Sequence, residues 1–66
     1  MMIELNHRPY PYKEAMTVST LMAENNFDFN AIIVKINGTV IEDSLWKEKP
    51  ISPGDKVEII HVFGGG

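Results

Sequence analysis

The chain has 66 residues, 44% of them hydrophobic and 23% charged, with a net charge of −3 at pH 7 and no cysteine. This ordinary globular mixture excludes a disordered chain, and the length leaves no room for a cleft between two domains. The acidic balance argues against a nucleic-acid surface. The longest apolar run, residues 31–34, is too short to span a membrane, and the lack of cysteine removes disulfides, thiolate metal sites and thiol nucleophiles together.

Residues 2–6 alternate, with Ile3 and Leu5 on one face, and predict a strand. Residues 6–9 read as a turn. Tyr10 and Tyr12 flank Pro11 in an edge-type strand, because proline cannot donate to a ladder. Thr17 is placed to cap a helix that begins at Val18. Val18, Leu21, Met22 and Asn25 follow the i, i+3, i+4, i+7 spacing and leave Ser19, Thr20 and Glu24 towards water. Asn25-Asn26 ends the helix, since asparagine tolerates the left-handed exit. Phe27 and Phe29 alternate with Asp28 in a loop expected to fold aromatics under the helix.

Residues 32–36 are β-branched at four of five positions and predict a third strand. Asn37-Gly38 is a strong hairpin signal, with residues 39–41 as the returning strand. A turn of 3₁₀ helix is expected over residues 44–47, with Trp46 or Leu45 plugging one end of the core. Pro53-Gly54-Asp55 is a turn. Residues 56–63 form the last and longest strand, expected at the centre of its sheet. The order β-β-α-β-β-β predicts an α+β fold, a mixed sheet wrapped over one main helix.

Alternation divides the last strand. Val57, Ile59, His61 and Phe63 share one face, assigned inward, and Glu58, Ile60 and Val62 share the other. Matching the third strand to this turns Ile32, Val34 and Ile36 inward and Ile33 and Lys35 outward. Ile33, Ile60 and Val62, with Phe63 at the strand's end, make a candidate partner-docking patch. The plainer reading is scattered surface aliphatics, or a patch covered by loops or by Met2.

Gly64-Gly65-Gly66 leaves two readings open. The plain one is a floppy tail. The sharper one uses the carboxylate of Gly66. Glycine has no side chain, so such a tail threads a slot too narrow for any Cβ. Three extended residues reach about 10 Å beyond Phe63, enough to enter another protein's active site. His7 and His61 are too few and too far apart to suggest a metal site. Asp28, Asp43 and Asp55 read as loop and turn acids.

Several features stand in order over essentially the whole chain: Ile3 and Leu5, Thr17-Val18 with Leu21-Met22, Ile36-Asn37-Gly38, Trp46, Pro53-Gly54-Asp55 with Val57-Glu58-Ile59, and the terminal glycines. Jointly they resemble the ThiS family, small sulfur carriers of thiamine thiazole biosynthesis with a β-grasp, ubiquitin-like fold. Where that family often has a proline–basic step before the tryptophan, this chain has Glu42-Asp43-Ser44-Leu45. The resemblance implies one β-grasp domain over residues 1–63 and a flexible glycine tail over 64–66.

It also implies a mechanism. A ThiF-like adenylyltransferase, using its own ATP and Mg²⁺, converts the Gly66 carboxylate to an acyl-adenylate while Gly64 and Gly65 thread its active site. Sulfur, relayed from a cysteine desulfurase persulfide, replaces AMP and leaves a thiocarboxylate. A ThiG-like thiazole synthase receives the sulfur. The chain is then a protein co-substrate rather than an enzyme, with no cofactor of its own; its acidic charge and short apolar runs argue against nucleic-acid and membrane partners, and its lack of cysteine makes a cytoplasmic location the simplest reading. The absent cysteines agree, because cargo cannot ride on a side-chain thiol here. Three other readings stand beside it: the small, sulfur-carrying subunit of molybdopterin synthase, a ubiquitin-like modifier joined to lysines, and a binding module with an inert tail.

Overall fold

The structure, a computed structural model, describes residues 1–27 and 32–61. β1 (Met2–Leu5) and β2 (Arg8–Pro11) pair antiparallel, with Leu5 opposite Arg8. Asn6 and His7 join them with φ of 50° and 67°. Positive φ at both central residues is the turn geometry whose twist matches the flanking strands. The turn is therefore two residues, not the four expected over 6–9. Pro9 lies inside β2, where its missing donor is tolerated because β2 is an edge strand. Tyr12 falls just beyond the strand but packs on the core.

α1 (Val18–Glu24) begins with a reciprocal cap. The Thr20 N–H donates to Thr17 Oγ1 at 3.3 Å, and the Thr17 N–H donates to Thr20 Oγ1 at 2.9 Å. A helix of seven residues has no stability of its own in water. Burial supplies it: Val18, Leu21 and Met22 are fully enclosed. Asn26, at φ 57°, makes the left-handed exit. Ser19, expected towards water, is half-buried, and its N–H donates to the Trp46 carbonyl at 2.9 Å. Phe27 is partly buried and packs against the core. The other aromatic of that expected loop, Phe29, and its neighbour Asp28 lie outside the described residues.

β3 (Ile32–Ile36) and β4 (Thr39–Ile41) form the second hairpin, around Asn37 and Gly38 at φ 52° and 83°. The Asn37 side chain ties this tip to the start of the next strand. Its Oδ1 accepts from the Lys56 N–H at 2.9 Å, and its Nδ2 donates to Asp55 Oδ1 at 3.0 Å. Asp55 Oδ2 in turn accepts from the Ser52 N–H at 2.9 Å, closing the turn in which Gly54 sits at φ 85°. The 3₁₀ turn occupies Asp43–Leu45, starting one residue and ending two residues earlier than expected. Ending there lets Trp46 turn inward. It is 8% exposed, and its Nε1–H donates to the Ile41 carbonyl at 3.1 Å, while Leu45 faces solvent.

β5 (Lys56–His61) lies at the centre of the sheet order β2-β1-β5-β3-β4, parallel to β1 and antiparallel to β3. The α+β expectation thus holds: a mixed five-stranded sheet covers one helix. Met16 and Ile51, buried in irregular segments, complete the core and are joined by the Ile51 N–H donating to the Met16 carbonyl at 2.8 Å. Among the described residues no polar side chain is buried.

Candidate functional site

β5 is the last described strand, and the expected docking patch falls on its outer face and on that of β3. Val57 and Ile59 face the helix at 1% and 4% exposure, and Ile60 faces away at 41%. The two-residue period of the strand therefore divides β5 as its sequence predicts. Ile33, on the outer face of β3, is 38% exposed and stands directly opposite Ile60 in the antiparallel ladder. Directly opposed outer side chains sit close enough to make one continuous apolar surface. Lys35 and Glu58 form the next outward pair, and Val40 of β4 lies beside Lys35. The patch thus has a charged border of both signs.

Met2 does not cover it. The β1–β5 register places Met2 before the Glu4–Lys56 rung and Ile60 four residues after it. At about 3.3 Å per residue that puts the two side chains roughly 20 Å apart along the sheet. Of the four residues in the expected docking patch, the structure brings together Ile33 and Ile60. Val62 and Phe63 lie outside the described residues, as do Gly64, Gly65 and Gly66.

His61 follows on the inward parity of β5 but is exposed, because the core ends before it. Its ring lies 5.8 Å from that of Phe27, tilted by 38°. Among the described residues no three acidic, histidine or cysteine side chains gather to hold a metal ion, no cavity opens, and no helix is long and apolar enough to cross a membrane. What the described residues offer here is an exposed apolar pair, Ile33 and Ile60, on the outer face of the sheet.

A second polar cluster lies on the opposite side of the sheet. The Tyr10 hydroxyl donates to Glu24 Oε1 at 2.8 Å, Lys13 Nζ donates to Glu24 Oε2 at 3.1 Å, and Asn25 Nδ2 donates to the Tyr10 hydroxyl at 3.2 Å. The Tyr10 bond first, and Lys13 second, hold the Glu24 carboxyl below its ordinary pKa. This cluster fastens the end of α1 to β2 and is distant from the patch.

The sequence profile of the ThiS family matches residues 3–66. The chain belongs to the ThiS family. Its β-grasp fold is shared with the ThiS thiamine biosynthesis protein of Geobacter metallireducens. The crystal structure of that protein matches with a TM-score of 0.83 and 26% identity, covering 100% of both chains. The solution structure of the same organism's thiamine biosynthesis protein gives a TM-score of 0.76, covering 100% of this chain and 88% of that one. A protein designated ycf40 in Porphyra purpurea is 33% identical over 64 residues, 97% of this chain and 90% of that protein. The thiazole synthase of Paramagnetospirillum magneticum is 29% identical over 66 residues, and this ThiS-family chain spans 20% of that protein's length.

Proposed function

We propose that this sulfur carrier of the ThiS family supplies sulfur for the thiazole ring of thiamine through its terminal glycine. The observation that carries the reading is the extent of the family match, which runs from residue 3 through the glycines to residue 66. In this mechanism the Gly66 carboxylate attacks the α-phosphate of ATP held by a ThiF-like adenylyltransferase, releasing pyrophosphate. The adenylate makes a poor electrophile reactive by giving it AMP as a leaving group. The terminal sulfur of a desulfurase-derived persulfide displaces AMP, and a thiol reductant releases the thiocarboxylate. ATP and Mg²⁺ belong to the partner enzyme, and no cofactor is assigned to this chain.

Docking is assigned to Ile33 and Ile60, extended by Val62 and Phe63, with Gly64 and Gly65 threading the partner's active site. Support for a ThiG-like recipient comes from the Paramagnetospirillum magneticum protein, in which a segment similar to this whole chain occupies part of a thiazole synthase. The test is intact mass after incubation with ATP, a persulfide donor, a thiol reductant and the adenylyltransferase. A gain equal to the exchange of one oxygen for sulfur, located at Gly66 by fragmentation, is the expected result. Reconstitution with a thiazole synthase and with a molybdopterin synthase large subunit then separates thiazole formation from dithiolene formation. Conjugates to lysine in place of a thiocarboxylate would make the chain a modifier.

A further inference from the structure

Along the shared edge of β1 and β5, the parallel ladder recurs at every second residue. The Glu4 N–H donates to the Asp55 carbonyl at 2.9 Å, and the Asn6 N–H donates to the Val57 carbonyl at 2.9 Å. The next rung would set residue 7 opposite Ile59, with the backbone carbonyl of residue 6 accepting from the Ile59 N–H and the N–H of residue 8 donating to the Ile59 carbonyl. By then the chain has reversed through Asn6 and His7, and Arg8 belongs to β2. The Ile59 peptide would therefore meet no strand on this side.

The Asn6 side chain takes that place. The Ile59 N–H donates to Asn6 Oδ1 at 2.8 Å, and Asn6 Nδ2 donates to the Ile59 carbonyl at 3.3 Å. A carboxamide offers the same donor and acceptor as a peptide unit, so one short side chain supplies the missing rung. Few residues would serve. Aspartate offers only the acceptor, glutamine is longer by a methylene, and asparagine also tolerates the φ of 50° that the turn imposes.

On its other edge β5 is paired with β3 as far as His61, opposite Ile32. Asn6 thus makes the last described rung on the β1 side. Gly66 lies seven residues beyond Ile59, a maximum reach of about 23 Å. Reaction needs the carboxylate within about 3–3.5 Å of its target, and a misplacement of about 1 Å costs on the order of 100-fold in rate.

We propose that Asn6 is a positioning residue: its amide sets the direction in which the chain leaves the sheet beyond Ile59, and so where the terminal carboxylate arrives. This rests on the carrier reading above. It separates two roles, with Ile33 and Ile60 governing docking and Asn6 governing delivery after docking.

The test compares the full chain with Asn6→Gly, which keeps the left-handed turn, and with Asn6→Asp, which keeps the acceptor alone. Without any partner, amide hydrogen exchange and N–H residual dipolar couplings are measured by NMR. In Asn6→Gly the Ile59 amide is expected to exchange at least about 10-fold faster while Leu21 keeps its rate, and the His61 coupling is expected to shrink. With the adenylyltransferase, pyrophosphate exchange should show kcat reduced about 10-fold or more and KM within about 2-fold. Asn6→Asp should fall between. Unchanged exchange at Ile59, equal acceleration at Leu21 and Ile59, a change in KM alone, or an unaltered kcat would each overturn the proposal. A wild-type chain that supports no pyrophosphate exchange would instead defeat the carrier reading, and the partner-free measurements would still decide whether Asn6 holds the strand end.

Discussion

His7 holds φ at 67°, a conformation that costs a residue with a Cβ about 1–2 kcal/mol. Glycine removes that cost but adds unfolded-state freedom of about 0.4–1 kcal/mol. His7→Gly is therefore expected to stabilise the fold by roughly 0.5–1 kcal/mol, seen as a higher urea midpoint at unchanged slope. The exposed contact from His7 to Glu4, at 3.9 Å, gives little to lose. A lower midpoint would show that the turn is not strained. Leu21 has the opposite character. It is fully buried, and Leu21→Ala is expected to cost about 2–5 kcal/mol, a large share of what a domain this small has. A negligible fall in melting temperature would contradict its place under the sheet. Leu21 was legible from helical spacing alone. The strained turn was legible only in part: residues 6–9 read as a turn, but its two-residue length and the positive φ of His7 depend on how β1 and β2 pair.

At the level of elements, two faces of the sheet can be tested separately. Glu24 fastens α1 to β2, and its folded pKa lies below the ordinary value because Tyr10, then Lys13, favour the charged form. A depressed folded pKa means stability that is complete above the unfolded glutamate value, about 4.3, and lost as pH falls through the folded value. Glu24→Gln should lower the melting temperature at pH 7, and the gap to wild type should close as pH falls below the unfolded glutamate value and through the folded one. A gap that persists at low pH would mean the glutamine disturbs packing instead. On the outer face, Ile60→Glu should change folding stability by less than about 1 kcal/mol, because Ile60 stands partly in water. It should weaken binding to the adenylyltransferase by about 2 kcal/mol or more, since an interface would bury an unpaired charge. Calorimetric titration showing undiminished affinity would remove Ile60 from the docking surface. Both strand faces could be read from alternation, whereas the opposition of Ile33 and Ile60 could not, because register depends on which strands become neighbours.

For the whole molecule, the decisive question is whether Gly66 reacts. Adding a tryptophan after Gly66 moves the terminal carboxylate about 3.3–3.6 Å along an extended chain. It also puts a bulky side chain where only glycines were. Adenylation, followed by pyrophosphate exchange, is expected to be abolished while the thermal melt is unchanged. Undiminished exchange would show that another group reacts, and the carrier and modifier readings would fall together.

The sequence alone determined the element types, the helix cap, the two faces of β5 and its central place, because each depends on local periodicity, turn chemistry or β-branched content. It could not show that Met16 and Ile51 complete the core. They lie in segments without period, and only the return of the chain past the start of α1 encloses them. It could not choose between Leu45 and Trp46 either, since one residue of phase in the 3₁₀ turn decides which side chain points inward. Nor could it reveal Asn6 as a rung against Ile59, 53 residues away. In the sequence Asn6 reads as a turn residue. It becomes part of the ladder only when the first and last strands lie parallel, which is a property of the folded sheet and not of either segment.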